Sequence, residues 1–169
     1  ELAKQQSSDN PVYYIQYAHA RLASLFRVAQ ERQVSLPTVQ DVDHTLLVQD
    51  EELGLIKTLS QYPFVVEGSA IALEPHRIAF YLQELAAQLH AYYNKNRVLP
   101  SVDSAGKIGN LDHSGELGSN GNASEFGQEP TYESISPALT AARLVLLRQV
   151  QTVICNGLTL LGISAPEKM

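Results

Sequence analysis

Two sets of residues have the types and spacing to bind a flat, charged ligand. Tyr13, Tyr17 and Arg21 recur every four residues. On a helix, steps of four place side chains on one face about 6 Å apart along the axis. Such a ridge offers rings on which unpaired bases can stack, and a guanidinium for a phosphate or another ring. The second set, His90, Tyr93, Asn94 and Arg97, falls at i, i+3, i+4 and i+7. It gives one helix face a donor, an acceptor, a ring and a cation, which is what single-stranded RNA recognition uses. On spacing alone each set reads more simply as the edge of an amphipathic helix carrying solvated charge. His19 lies off the first ridge, two residues beyond Tyr17.

Signatures of catalysis are absent. The sequence has no phosphate-cradling Gly-x-x-x-x-Gly-Lys-Ser/Thr and no Gly-x-Gly-x-x-Gly. It has no His-Glu-x-x-His and no Cys-x-x-Cys. His19, His44, His76, His90 and His113 are scattered without an i,i+4 pair, so no metal site is expected. Cys155, the lone cysteine, cannot form an internal disulfide and reads as a small core residue of a protein from a reducing compartment. The pair Glu51-Glu52 reads as a solvated helix start favoured by the helix dipole. By itself the chain is not expected to be a catalyst.

These ridges need elements to hold them. At 169 residues, with 44% hydrophobic and 18% charged residues, the chain has the size and composition of one globular domain. No run of about 18 apolar residues signals a membrane span. The opening Glu1 suggests a segment of a longer protein. The net charge of −6 is unevenly spread. Residues 33–53 hold five acids and no Lys or Arg, and residues 99–136 hold six acids against Lys107. The remainder carries 11 basic and 7 acidic residues, so a basic face is compatible with the acidic total.

Four helical segments are predicted. The first runs from Pro11 to Arg32, with Val12, Ile15, Ala18, Leu22, Leu25, Phe26 and Ala29 at three- and four-residue steps and Asn10 as N-cap. The second spans Asp50 to Leu73 and is expected to be two short helices broken near Tyr62-Pro63. The third runs from Pro75 to Val98, with an apolar stripe of Ile78, Leu82, Leu85, Leu89 and Tyr92. The fourth runs from Pro137 to Leu161, capped by Ser136, apolar almost all round, with Gly157 marking close packing against another helix. No alternating strand pattern occurs. The expected fold is an all-α antiparallel bundle with a long irregular loop at 99–136, rich in Gly, Ser and Asn.

The stretch Ser7-Ser8-Asp9-Asn10-Pro11-Val12-Tyr13-Tyr14-Ile15-Gln16-Tyr17-Ala18-His19-Ala20-Arg21 strongly resembles the start of the anticodon-binding domain of bacterial arginyl-tRNA synthetases. The helix start Pro75-His76-Arg77 and the run from His90 to Val98 resemble that domain's middle helix. Leu139-Thr140-Ala141-Ala142-Arg143-Leu144 is similar to the motif that names the family. The ending from Leu160 to Met169 resembles the family's carboxyl end. The matches occur in order and span nearly the whole chain.

The resemblance implies one helical anticodon-binding domain over 1–169, of the class I synthetase type, with 99–136 as a flexible acidic insertion. The parent would be a cytoplasmic, monomeric ligase joining arginine to its tRNA with ATP. The catalytic domain, with its ATP and Mg2+, would lie upstream, since neither class I ATP signature is found here. No catalytic residue and no cofactor is assigned to this chain. The partner implied is the anticodon stem-loop of the arginine tRNA. Carried over position by position, Tyr17 and Arg21 match the Tyr-Ala-His-Ala-Arg motif that meets the anticodon loop. Tyr93 matches the tyrosine of the middle helix, and Met169 the terminal methionine. Tyr13, His90, Asn94 and Arg97 share those faces, and Arg97, Lys95 and Arg143 are candidate phosphate contacts. Lys168 stands where the family often has arginine. Two alternatives remain: the related domain of a cysteinyl or glycyl enzyme, and a helical protein–protein docking module.

Overall fold

The computed structural model describes residues 10–100 and 135–169. Residues 1–9, and 101–134 of the expected 99–136 loop, lie outside the described residues. Among the described residues there are four helices: α1 (Pro11–Glu31), α2 (Asp50–Ala72), α3 (His76–Lys95) and α4 (Pro137–Leu160). Short 3-10 turns at Val39–Asp41 and His44–Leu46 punctuate the connection from α1 to α2. No strand occurs among the described residues.

The helices begin where the capping chemistry says they should. The Asn10 side chain accepts from the amides of Val12 (3.1 Å) and Tyr13 (3.5 Å), and Pro11 fills the first turn, where its missing N–H costs nothing. Ser136 Oγ accepts from the Leu139 amide at 3.2 Å ahead of α4. The Gln49 amide donates to Glu52 Oε2 at 3.0 Å, closing a capping box at the start of α2.

The core follows the apolar stripes. Ile78, Leu82, Leu85, Leu89 and Tyr92 of α3 are all buried, as are Ile15, Ala18, Leu22, Phe26 and Ala29 of α1. Leu144, Leu146, Leu147, Val150, Ile154 and Leu158 of α4 complete it. α4 is long and apolar enough to cross a membrane, yet here it packs against the other three helices. A Cβ on Gly157 would lie 2.7 Å from Leu82 Cδ2, so the glycine permits the close approach of α4 to α3. The end of α4 thus meets the start of α3, and Lys95 at the end of α3 pairs with Glu51 at the start of α2. Direction therefore alternates from α2 through α3 to α4. α1 packs on α3 and α4, and α2 packs on the same two, so α1 and α2 occupy opposite corners of the bundle.

Three expectations need correction. α2 is one continuous helix through Pro63, not two. Pro63 deprives the Leu59 carbonyl of its helical donor, at a cost of about 3 kcal/mol in an isolated helix. Packing overrides that cost: the buried Tyr81 hydroxyl donates to the Thr58 carbonyl at 2.9 Å, and the Tyr62 and Tyr81 rings meet at 5.6 Å. Burial, with Tyr62 and Glu84 nearby, raises the Tyr81 phenol to about 12, so it remains a donor at neutral pH. Secondly, Glu52 is not solvated. It is 0% exposed, and its Oε1 accepts from Arg143 Nε at 2.7 Å. Glu51 alone keeps the surface role. Cys155 is partly exposed rather than sealed in the core.

Candidate nucleic-acid interface

With its start fixed by Asn10, α1 presents Tyr13, Tyr17 and Arg21 along one ridge beside the last turns of α3. Tyr17 is open, with 43% of its surface exposed. Its ring stacks on His90 of α3, with centroids 5.6 Å apart and planes 29° apart. Tyr14 meets the same imidazole at 4.9 Å, so His90 is wedged between two tyrosines of α1. Burial, helped by the Arg21 cation, holds the His90 imidazole below its ordinary value and keeps it neutral at pH 7. A neutral imidazole has one donor and one acceptor nitrogen, and Nε2 here is buried without a hydrogen-bond partner.

One turn further along α1, the Arg21 guanidinium lies 4.6 Å from the centroid of the Tyr93 ring. Tyr93 in turn sits edge-on to the core residue Tyr92 at 6.4 Å. Its hydroxyl is buried and unpartnered, and burial pushes the phenol far above its usual value, so it stays protonated. Asn94 is exposed on the neighbouring turn, and Tyr13 is half-exposed at the outer end of the α1 ridge. The two separate sets of the sequence therefore meet: Tyr17 with His90, and Arg21 with Tyr93.

The carboxyl tail forms a third part. Gly162, at a positive φ of 69°, lets the chain turn after α4, and the tail then follows α1 in the helix direction. Gln16 Nε2 donates to the Ser164 carbonyl at 2.9 Å, and His19 Nδ1 donates to the Pro166 carbonyl at 2.9 Å. Glu167 and Lys168 go on to line a cavity of about 320 Å³ with Ser24, Arg27, Arg148 and Gln151. Met169, at the end, is 52% exposed. The flank of α1 bearing Gln16 and His19 lies roughly 100–160° around the helix from Tyr17. The tail thus lines one side of α1 while α3 lines the other, with the open tyrosine between them.

Of the candidate phosphate contacts, Arg143 is ruled out. It is buried, engaging Glu52 and donating through Nη1 to the Arg97 carbonyl at 2.6 Å. That contact ties down half-buried Arg97, which lies beyond the end of α3 at Lys95 and so off the predicted helix face. Lys95 is paired with Glu51 at the surface. Elsewhere Arg27 and Arg148 line the tail cavity beside Glu167 and Lys168. Arg148 is anchored with its guanidinium 3.8 Å from the centroid of Phe26. Neither arginine has a spacing signal, because they sit on α1 and α4 and meet only through the fold. His19 was likewise invisible as a tail clasp. Among the described residues no three metal-ligating side chains come together.

The comparisons with known proteins bear on this arrangement directly. Residues 15–107 and 125–169 match the DALR anticodon binding domain family. The chain belongs to that family. The arginine–tRNA ligase of Geobacter metallireducens is 47% identical over the whole chain, and that of Syntrophotalea carbinolica 45% identical. In both cases the chain spans 24% of the relative's length. Among solved structures, the Thermus thermophilus arginyl-tRNA synthetase superposes with a TM-score of 0.59 at 29% identity, covering 99% of this chain and 22% of that one. The described residues form an all-α fold, as the sequence pattern implied, and both of these curated relatives are arginine–tRNA ligases.

Proposed function

We propose that this DALR domain grips the anticodon stem-loop of an arginine tRNA as one part of a synthetase that ligates arginine to that tRNA. The observation that carries the reading is the exposed Tyr17 ring, seated on neutral His90 and flanked by Arg21 over Tyr93. Unstacked loop bases lie on aromatic faces and present their edges to donors and acceptors. Tyr17 supplies the face. His90 Nε2, beneath the Tyr17 ring, and the Tyr93 hydroxyl, on the ring that Arg21 covers, are buried polar atoms left without partners. They are the groups a base edge would satisfy if Tyr17 and Arg21 moved onto it. Arg21 offers a cation at the same place, while Arg27, Arg148 and Lys168 supply positive charge along the tail for the sugar-phosphate backbone. Met169 adds an apolar contact at the end of the tail.

Arginine activation and transfer are assigned to the rest of the parent polypeptide, where ATP with Mg2+ would act. This chain binds, orients and discriminates. The parent is read as a cytoplasmic monomer. The test is competition among tRNAs at two salt concentrations. The arginine anticodon stem-loop should displace a labelled copy of itself from the chain, cysteine and glycine stem-loops should not, and affinity should fall as salt rises. Binding that ignores both tRNA identity and salt would point instead to a protein-docking module.

A further inference from the structure

α2 is buried in the wrong place for an outer helix of a complete protein. Its apolar residues are spread around the helix rather than gathered on one inward face. Its buried residues are Glu52, Leu55, Thr58 and Ser69, three of them polar. Leu55 is sealed in the core and Leu59, Tyr62 and Val65 pack against it, but other large apolar side chains stand outside. Phe64 is 73% and Ile71 78% exposed, and Leu53 and Ile56 are exposed as well. Leu53, Phe64 and Ile71 fall within about 20° of one line along the helix, and the ridge runs roughly 27 Å. At its far end Leu73 and, on α3, Phe80 extend the apolar surface. Exposed Lys57, Ser60 and Glu67 interleave with this line. Yet large apolar side chains as open as Phe64, Ile71, Leu73 and Phe80 on one helical hairpin exceed what scattered exposed leucines would show, and they mark an interaction surface.

The bundle places this ridge away from the RNA-binding face. α2 and α1 sit at opposite corners, so the α2 ridge looks outward on the side remote from Tyr17 and the tail. The missing cover has an identifiable source. The chain accounts for 24% of the length of its curated relatives, so three quarters of such a polypeptide lies beyond it. We infer that the Leu53–Phe64–Ile71 ridge, with Leu73 and Phe80, is the seat on which the remainder of the synthetase polypeptide docks. This rests on reading the chain as one part of a longer synthetase. An apolar seat on the corner opposite the anticodon site would fix the angle between the RNA grip and the distant reaction centre. Sequence alone hid it, because an apolar helix is expected to face inward.

Hydroxyl-radical footprinting without tRNA tests the inference on the 169-residue chain and on the longer polypeptide that carries it. Oxidation of Phe64, Ile71 and Phe80 should fall at least fivefold in the longer polypeptide, while Tyr17 and Met169 label equally in both. Equal labelling of Phe64 and Ile71 would overturn the inference. So would protection that appears in the 169-residue chain as its concentration is raised, since the cover would then be a second copy. As a second arm, Phe64→Glu with Ile71→Glu in the longer polypeptide should split a shared thermal transition into two. A transition that stays single and unshifted would count against docking. Because no RNA is present, either failure leaves the stem-loop competition standing or falling by itself.

Discussion

Replacing Arg143 with Met strands a carboxylate inside the bundle. Glu52 is 0% exposed, and its Oε1 loses the 2.7 Å bond to Arg143 Nε. Only the Gln49 amide, 3.0 Å from Oε2, still holds it. Removing one partner of a buried pair costs about 3–5 kcal/mol, mostly from the charge left behind. The Arg97 carbonyl also loses its donor, adding about 1 kcal/mol. With a urea dependence of about 2 kcal/mol per molar, the unfolding midpoint of Arg143→Met should drop by about 2–3 M. Glu52→Leu combined with Arg143→Met leaves no stranded charge. It sacrifices only the capping contact and the Arg97 bond, about 1 kcal/mol each. The double variant should therefore be more stable than the single one. The assay is urea unfolding followed by far-ultraviolet circular dichroism, with Arg143→Lys as a milder variant should Arg143→Met fail to fold. Strict additivity of the two substitutions would refute the reasoning. Folded Arg143→Met should keep its affinity for the stem-loop; a loss there would restore Arg143 as a phosphate contact.

The remaining predictions concern packing, the tail and pH. Gly157→Ala pushes a methyl to 2.7 Å from Leu82 Cδ2, and overpacking should outweigh the gain of about 1 kcal/mol in helix propensity, lowering the melting temperature; Leu82→Ala in the same chain should relieve part of that loss. His19→Ala removes the clasp on the Pro166 carbonyl, so amide exchange in the tail should speed up severalfold with little change in α3, and stem-loop binding should weaken. His90 has a folded pKa below its unfolded value near 6.5, so its contribution to stability is complete above that pH and is lost as pH falls through the folded value. Urea titrations from pH 8 to pH 5 should show that decline, and His90→Gln should remove this part of it; an unchanged pH profile would exclude the neutral, wedged imidazole.

Periodicity and caps carried much of the fold into view. Asn10 and Ser136 announced their helices, and the α3 stripe from Ile78 to Tyr92 is buried residue for residue. The two polar ridges were legible for the same reason as far as the helices run; Arg97 falls off the second, because α3 ends at Lys95 and the chain is extended at Asn96. The meeting of the two ridges was not legible, because the Tyr17–His90 and Arg21–Tyr93 contacts join positions more than 70 residues apart. Glu52 misled because local sequence describes a carboxylate in a first helical turn, whereas its burial is decided by Arg143 on α4. Pro63 misled similarly: its local cost is real, but α3 holds the loosened turn through Tyr81. His19 lay off both ridges and became meaningful only once the tail was laid along α1.

The most direct measurement is the affinity of the arginine anticodon stem-loop for Tyr17→Ala, set beside Val48→Ala as a control at an exposed apolar residue outside the four helices. Base stacking on a ring contributes about 1–3 kcal/mol, so Tyr17→Ala should weaken binding about 5- to 150-fold while Val48→Ala leaves it unchanged. Undiminished affinity in a folded Tyr17→Ala chain would show that the open tyrosine carries no base, and the cradle between α3 and the tail would lose its purpose.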